Sequence, residues 1–142
     1  MATRTAEAQW NGTLREGSGS FKTGSGAVSG AYSFPTRFED KPGTNPEELI
    51  AAAHAACFSM ALSAGLGKAG HTPESVNTTA TITFEKLEAG WRIVRVHLNT
   101  VGKVPGLDQE GFRKAAEGAK TGCPISNALS PAIEVTLTAT LA

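Results

Sequence analysis

The sequence predicts an α+β fold in which helices cover one face of a mainly antiparallel sheet, and three observations carry that reading. Apolar residues alternate with Thr-rich polar ones over Val76–Glu85 and again over Ile133–Leu141, the two-residue period of half-buried strands. Ahead of both lies an Ala-rich run from Pro46 to Leu62 with high helix propensity. Strands come first, then this long helix, a hairpin, a shorter helix and a closing strand.

Taken in order, Thr5, Glu7 and Gln9 alternate with Ala6, Ala8 and Trp10, and Asn11-Gly12 follows at once. Both residues of an Asn-Gly pair tolerate positive φ, so a tight hairpin is expected, with its second strand over Thr13–Arg15. From Gly17 to Gly30 the chain is rich in Gly and Ser, which suits short, irregular or bulged strands. Pro35 excludes a central strand from Ala31 to Lys41, leaving an edge or a loop that leads to the long helix. Asn45 caps that helix, Pro46 takes its first position and Glu47 and Glu48 face the positive end of its dipole. Gly65, Gly67 and Gly70 end it.

Next, Leu87 to Gly90 turns the Val76–Glu85 strand into a second one over Trp91–Val101, which Pro105 and Gly106 close off. Asp108 caps a shorter helix over Gln109–Lys120. Cys123 stands at the N-cap of a further helical turn with Pro124 at its first position. The long helix is too apolar and too small-sided over Ala51–Ala64 for an ordinary surface helix, so burial on several sides, by a second subunit among others, is expected.

The chain has 142 residues, 40% of them hydrophobic, enough for a single domain over residues 1–142 with a sizeable core. Lys plus Arg and Asp plus Glu number 13 each, with no basic block, so the footprint of a nucleic-acid binder is missing. No run of about 18 or more uncharged apolar residues stands out and no apolar segment follows Met1–Thr5, so a soluble cytosolic protein without a membrane partner is expected. Two cysteines in a reducing compartment read as reactive or buried rather than as a structural framework.

Cys57 sits in a helix of small apolar residues, where a free cysteine is commonly packing. Cys123 is the stronger local signal, because unpaired N–H groups and the positive dipole end at a helix start stabilise a thiolate. His54 shares a helix face with Cys57, three residues on, which opens two rivals: a Cys–His nucleophile pair, as in a hydrolase, or a metal site completed by Cys123. Neither cysteine belongs to a C-x-x-C knuckle, and tetrahedral zinc calls for four ligands. Arg37 matters if an anion lies close to it. A binding or stress-response module with structural cysteines is the non-enzymatic alternative.

The residues also carry a resemblance. Thr36-Arg37-Phe38-Glu39, Gly43 to Ile50 running into Ala53 to Leu62, and Gly122-Cys123-Pro124-Ile125-Ser126 resemble the osmotically inducible protein C branch of the OsmC and organic-hydroperoxide-resistance superfamily, over nearly the whole chain. The resemblance implies a sheet wrapped on a long central helix in an intertwined homodimer. It implies a thiol-dependent peroxidase of stress defence that reduces organic hydroperoxides and hydrogen peroxide, without a cofactor. Cys57 matches the peroxidatic cysteine and Cys123 the resolving one, Glu47 the motif glutamate and Arg37 the arginine near the thiolate. One departure is that members specialised for organic hydroperoxides carry an arginine in a Gly-Arg-x-Gly context near the N-terminus, which the region of Gly17-Ser18-Gly19 lacks.

The implied chemistry suits the residue types. Only a thiolate attacks, so Cys57 needs a cation such as Arg37 to lower its pKa. Attack on the O–O bond leaves a sulfenic acid, Cys123 closes the disulfide, and a dithiol reductant, lipoyl-type or thioredoxin-like, reopens it. Glu47 and Cys57 are ten residues apart, about 15 Å along one straight helix. Either the helix is interrupted, or Glu47 acts at the partner's site by holding that subunit's arginine; the second also explains the small-sided burial and is the expectation taken forward.

Overall fold

The structure, a computed structural model, describes residues 1–142. The order of elements is β1 (Ala6–Asn11), β2 (Ser18–Thr23), β3 (Ser29–Tyr32), α1 (Phe34–Phe38), α2 (Pro46–Lys68), β4 (Ser75–Leu87), β5 (Gly90–Lys103), α3 (Gln109–Gly122), α4 (Pro124–Leu129) and β6 (Glu134–Leu141). The fold class is α+β, with two three-stranded sheets in place of one. The chain divides into two compact units, Met1–Leu49 and Ile50–Ala142.

In the first unit β1, β2 and β3 form an antiparallel meander. The Asn-Gly signal located the turn but not its length. Gly12 has φ +88°, yet the strands rejoin only at Asn11 opposite Ser18. The longer loop is held by Thr13, whose carbonyl accepts from Gly17 N–H at 2.8 Å and from Trp10 Nε1 at 3.2 Å. Thr13–Arg15 are therefore loop rather than strand. Pro35, expected in an edge or loop, instead lies in the first turn of α1, because Ser33 and Thr36 form a capping box across it. Asn45 does cap α2: its Oδ1 accepts from Glu48 N–H at 2.8 Å, and its Nδ2 donates to Thr36 O at 3.0 Å.

In the second unit β4 and β5 pair antiparallel through a tight turn, with a bulge where Thr83 opposes Arg95 and Phe84 opposes Ile93. Strand pairing is mainly antiparallel, as expected, with one exception: β6 runs parallel to β5. A parallel neighbour needs a crossover, and α3 and α4 supply it. Asp108 caps α3 by accepting from Gly111 N–H at 2.7 Å.

The helix α2 is unbroken and ends in paired reverse bonds, Gly70 N–H to Gly67 O and His71 N–H to Leu66 O, with Gly70 at φ +86°. By length and composition it is apolar enough to cross a membrane, which the sequence reading passed over. One stripe of it, His54, Phe58, Leu62 and Leu66, is buried, and the three apolar members join a core with Val96, Leu98, Phe112 and Ala116. That packing marks a core helix. Each fully buried large apolar side chain contributes about 1.5–3 kcal/mol. The remaining faces are not all covered within one chain: Ala52, Ala53, Ala56 and Ala64 are exposed, and Met60 is 75% exposed.

Candidate active site

Two clusters hold the residues singled out by sequence, one in each unit. In Met1–Leu49, Arg37 on the last turn of α1 meets Glu47 on the first turn of α2. Arg37 Nη2 donates to Glu47 Oε1 at 2.7 Å, and Nε donates to Oε1 at 3.1 Å and Oε2 at 3.3 Å. This forked arrangement is among the stronger protein ion pairs. It joins two residues of one chain, so the expectation that Glu47 holds the partner's arginine gives way to an intramolecular pair. The local cause is the cap: Asn45 ties the start of α2 to the Thr36 carbonyl, which brings Glu47 beside Arg37. Trp10, Leu14, Tyr32, Phe34, Arg37 and Phe38 line a cavity of about 390 Å³, and the Arg37 guanidinium lies 5.2 Å from the centre of the Phe38 ring.

In Ile50–Ala142 the sulfurs of Cys57 and Cys123 are 2.9 Å apart, both cysteines in the free thiol form. Cys57 is half-buried on α2 and Cys123 fully buried. As read from the sequence, Cys123 is the N-cap of α4, and its sulfur accepts from Ser126 N–H at 3.5 Å. Burial works to raise the pKa of Cys123, but the Cys57 thiol, the backbone N–H and hydroxyl of Ser126 and the N–H of Ile125 outweigh it and the pKa falls below the ordinary thiol value. Burial pushes Cys57 up, and its hydrogen bond to Cys123 pushes it further. The two thiols share one hydrogen bond and titrate as a pair, with Cys123 pushed down and Cys57 pushed up. The expected low-pKa Cys57 is thus not what its surroundings in this unit give.

Neither rival built on His54 finds support in the geometry. Its Nε2 lies 2.7 Å from Ser126 Oγ, its Nδ1 is buried without a hydrogen-bond partner, and no cluster of three His, Cys, Asp or Glu side chains forms. Burial lowers its pKa, so the imidazole is held neutral. Ser126 was missed by the sequence reading, although its place three residues after an N-cap cysteine was the available signal. His97, left unassigned, sits between the hydroxyls of Thr136 at 2.6 Å and Thr138 at 3.2 Å on the sheet.

The pattern of these residues is shared. The family described as OsmC-like protein matches residues 38–138, a span that includes Glu47, Cys57 and Cys123 and begins immediately after Arg37. The chain belongs to the OsmC-like family. Among OsmC-like relatives, Peroxiredoxin OsmC of Escherichia coli (strain K12) is 47% identical over 135 residues, covering 94% of this chain and 93% of that protein. An organic hydroperoxide resistance protein of Xanthomonas axonopodis pv. citri (strain 306) is 37% identical over 97 residues, 68% of this chain and 66% of that one. Of the solved OsmC-like structures, an organic hydroperoxide resistance protein from Elizabethkingia anophelis superposes with a TM-score of 0.79 at 28% identity, covering 99% of each chain. Another from Legionella pneumophila, described as an organic hydroperoxide resistance protein OsmC, gives 0.76 at 25% identity over 100% of each.

Proposed function

We propose that this chain is a thiol-dependent peroxidase that reduces organic hydroperoxides, and hydrogen peroxide with them, through a sulfenic acid on Cys57 and a Cys57–Cys123 disulfide. The observation that carries this reading is the pair of free sulfurs at 2.9 Å, one of them at a helix N-terminus. The names of the relatives, peroxiredoxin and organic hydroperoxide resistance protein, point to the same chemistry.

Cys57 is the attacking sulfur because it is the more accessible of the two. Loss of one proton from the pair leaves a single thiolate, and the hydrogen bond between the sulfurs lets it stand on Cys57 when the peroxide arrives. The Cys57 thiolate attacks the outer oxygen of ROOH, forming S–OH and expelling RO⁻. Cys123 gives its proton to RO⁻, making the alcohol. The Cys123 thiolate then attacks the sulfenic sulfur, forming the disulfide and releasing hydroxide, which solvent protonates. An external dithiol, of the lipoyl or thioredoxin-like class, restores both thiols.

Arg37 and Glu47 are assigned to the catalytic set with the two cysteines. The carboxylate fixes the guanidinium, which suits the cationic role that the resemblance gives Arg37, and the cavity beside it is lined by aromatic rings. Residues 1–142 serve as one OsmC-like domain, a reading supported by the unbroken α2 and by a relative aligned over 94% of the chain. The exposed Ala and Met60 face of α2 supports a homodimer, and the protein is taken to act in the cytoplasm in stress defence.

Consumption of cumene hydroperoxide with excess dithiothreitol tests the assignment. Wild type turns over and Cys57→Ser does not. Turnover by Cys57→Ser equal to wild type takes the attacking role from Cys57, and consumption by wild type no faster than dithiothreitol alone returns the protein to the class of non-enzymatic modules.

A further inference from the structure

His54 carries no role in the cycle just described, yet it is fully buried at one turn from Cys57. Its only hydrogen-bonded nitrogen touches Ser126, and Ser126 touches the Cys123 sulfur. These residues form one chain: His54 Nε2 to Ser126 Oγ at 2.7 Å, Ser126 N–H to Cys123 Sγ at 3.5 Å, and Cys123 Sγ to Cys57 Sγ at 2.9 Å. His54 and Cys123 are 0% exposed and Ser126 2%, so water does not compete along it.

We propose that His54 is a positioning residue for the Cys123 thiolate, holding Ser126 so that the Ser126 hydroxyl proton is directed at the Cys123 sulfur. The direction follows from hydrogen-bond bookkeeping on the ring. A neutral imidazole has one N–H and one lone pair. Were the proton on Nδ1, a buried N–H would face no acceptor, and Ser126 would have to turn its O–H toward Nε2 and away from the sulfur. With the proton on Nε2, the ring donates to Ser126 Oγ, the lone pair is what stays unpaired at Nδ1, and the hydroxyl proton is released to the sulfur. Burial keeps the ring in the neutral form that this requires. The Ser126 N–H already meets the sulfur at 3.5 Å, and the hydroxyl of the same buried residue is the further proton that can turn to it.

The role rests on the peroxidase reading for its purpose, since a stabilised Cys123 thiolate is the species that attacks the sulfenic acid, but it is tested without peroxide. Cys57→Ser leaves Cys123 as the sole thiol and keeps a hydroxyl donor beside it. In that background the ultraviolet absorbance of the thiolate is followed against pH in three further variants. His54→Gln places an amide N–H near the position of Nε2, His54→Asn is too short to reach Ser126, and Ser126→Ala removes the hydroxyl alone.

The expected result is that His54→Asn and Ser126→Ala each raise the midpoint by about one pH unit, the size of one hydrogen bond to a charged acceptor. His54→Gln stays close to the parent. Equal midpoints for His54→Asn and His54→Gln, shifted or not, overturn the proposal. Should neither His54 variant fold, an unmoved midpoint in Ser126→Ala overturns it and a rise of the expected size supports it. Because no turnover is measured, a failure here is distinct from a failure of the peroxidase assignment.

Discussion

The sulfurs of Cys57 and Cys123 lie 2.9 Å apart although 66 positions separate the residues in sequence. A long helix brings one of them and the cap of a short helix brings the other. Their contact is a hydrogen bond between thiols in the reduced protein, one oxidation away from a covalent link.

Removing Cys123 should therefore uncouple the first step from the second. In Cys123→Ser, one equivalent of hydroperoxide is expected to oxidise Cys57 to sulfenic acid, and excess peroxide to carry it to the sulfinic form, which dithiothreitol does not reverse. Intact-mass spectrometry after each addition checks this. A protein that stays fully reducible in excess peroxide would remove the resolving role from Cys123.

Arg37→Lys keeps the positive charge and loses the fork that grips Glu47. The peroxidase reading expects kcat/KM for cumene hydroperoxide to fall roughly tenfold, about 1.4 kcal/mol, with the circular dichroism spectrum retained. Unchanged kinetics would take Arg37 out of the catalytic set.

The buried neutral His54 makes a statement about stability and pH. Its pKa is lowered from 6.5 in the fold, so below pH 6.5 the unfolded chain binds a proton that the folded chain refuses. The stability it confers is complete above that pH and declines as the pH falls toward the folded-state value, by at most about 1.4 kcal/mol per pH unit. Urea denaturation between neutral and mildly acidic pH should show this slope in wild type and lose it in His54→Gln.

Gly102 on β5 lies under the Phe112 ring of α3, where a Cβ would collide with the ring edge. Both residues belong to the buried core, so the ring has little room to retreat. Gly102→Ala is expected to cost about 1–3 kcal/mol, seen as a lower urea midpoint with the same m-value.

A homodimer that covers the exposed face of α2 should be sensitive at Met60. Met60→Glu is expected to shift the sedimentation coefficient to that of a monomer, whereas a wild type that already sediments as a monomer removes the dimer from the reading.

Much of this arrangement was legible in the sequence because its causes are local. Asn45-Pro46-Glu47 and Asp108 announce helix starts through side chains that act within one turn, and Cys123-Pro124 did so at the site itself. Period-two alternation located β4 and β6, and the turn at Leu87 to Gly90 located β5. What escaped depends on partners far along the chain. Whether Asn11-Gly12 makes a tight turn depends on Thr13 and Trp10 closing a longer loop, and Pro35 reads as a breaker until Ser33 and Thr36 are seen to cap across it. The direction of β6 is set by what the crossover permits. The opposite pulls on the two thiols come from their hydrogen bond to each other and from Ser126, a residue that is surface-like in sequence and buried in the fold.

The parallel pairing of β5 with β6 also bears on how the protein comes off the ribosome. Strand pairing of that kind is non-local and forms late, after the connecting helices exist. The second sulfur is carried on that connection, at the junction of its two helices. A nascent chain that has made α2 and the β4–β5 hairpin thus presents its first thiol alone, and the second sulfur joins it only with the last quarter of synthesis.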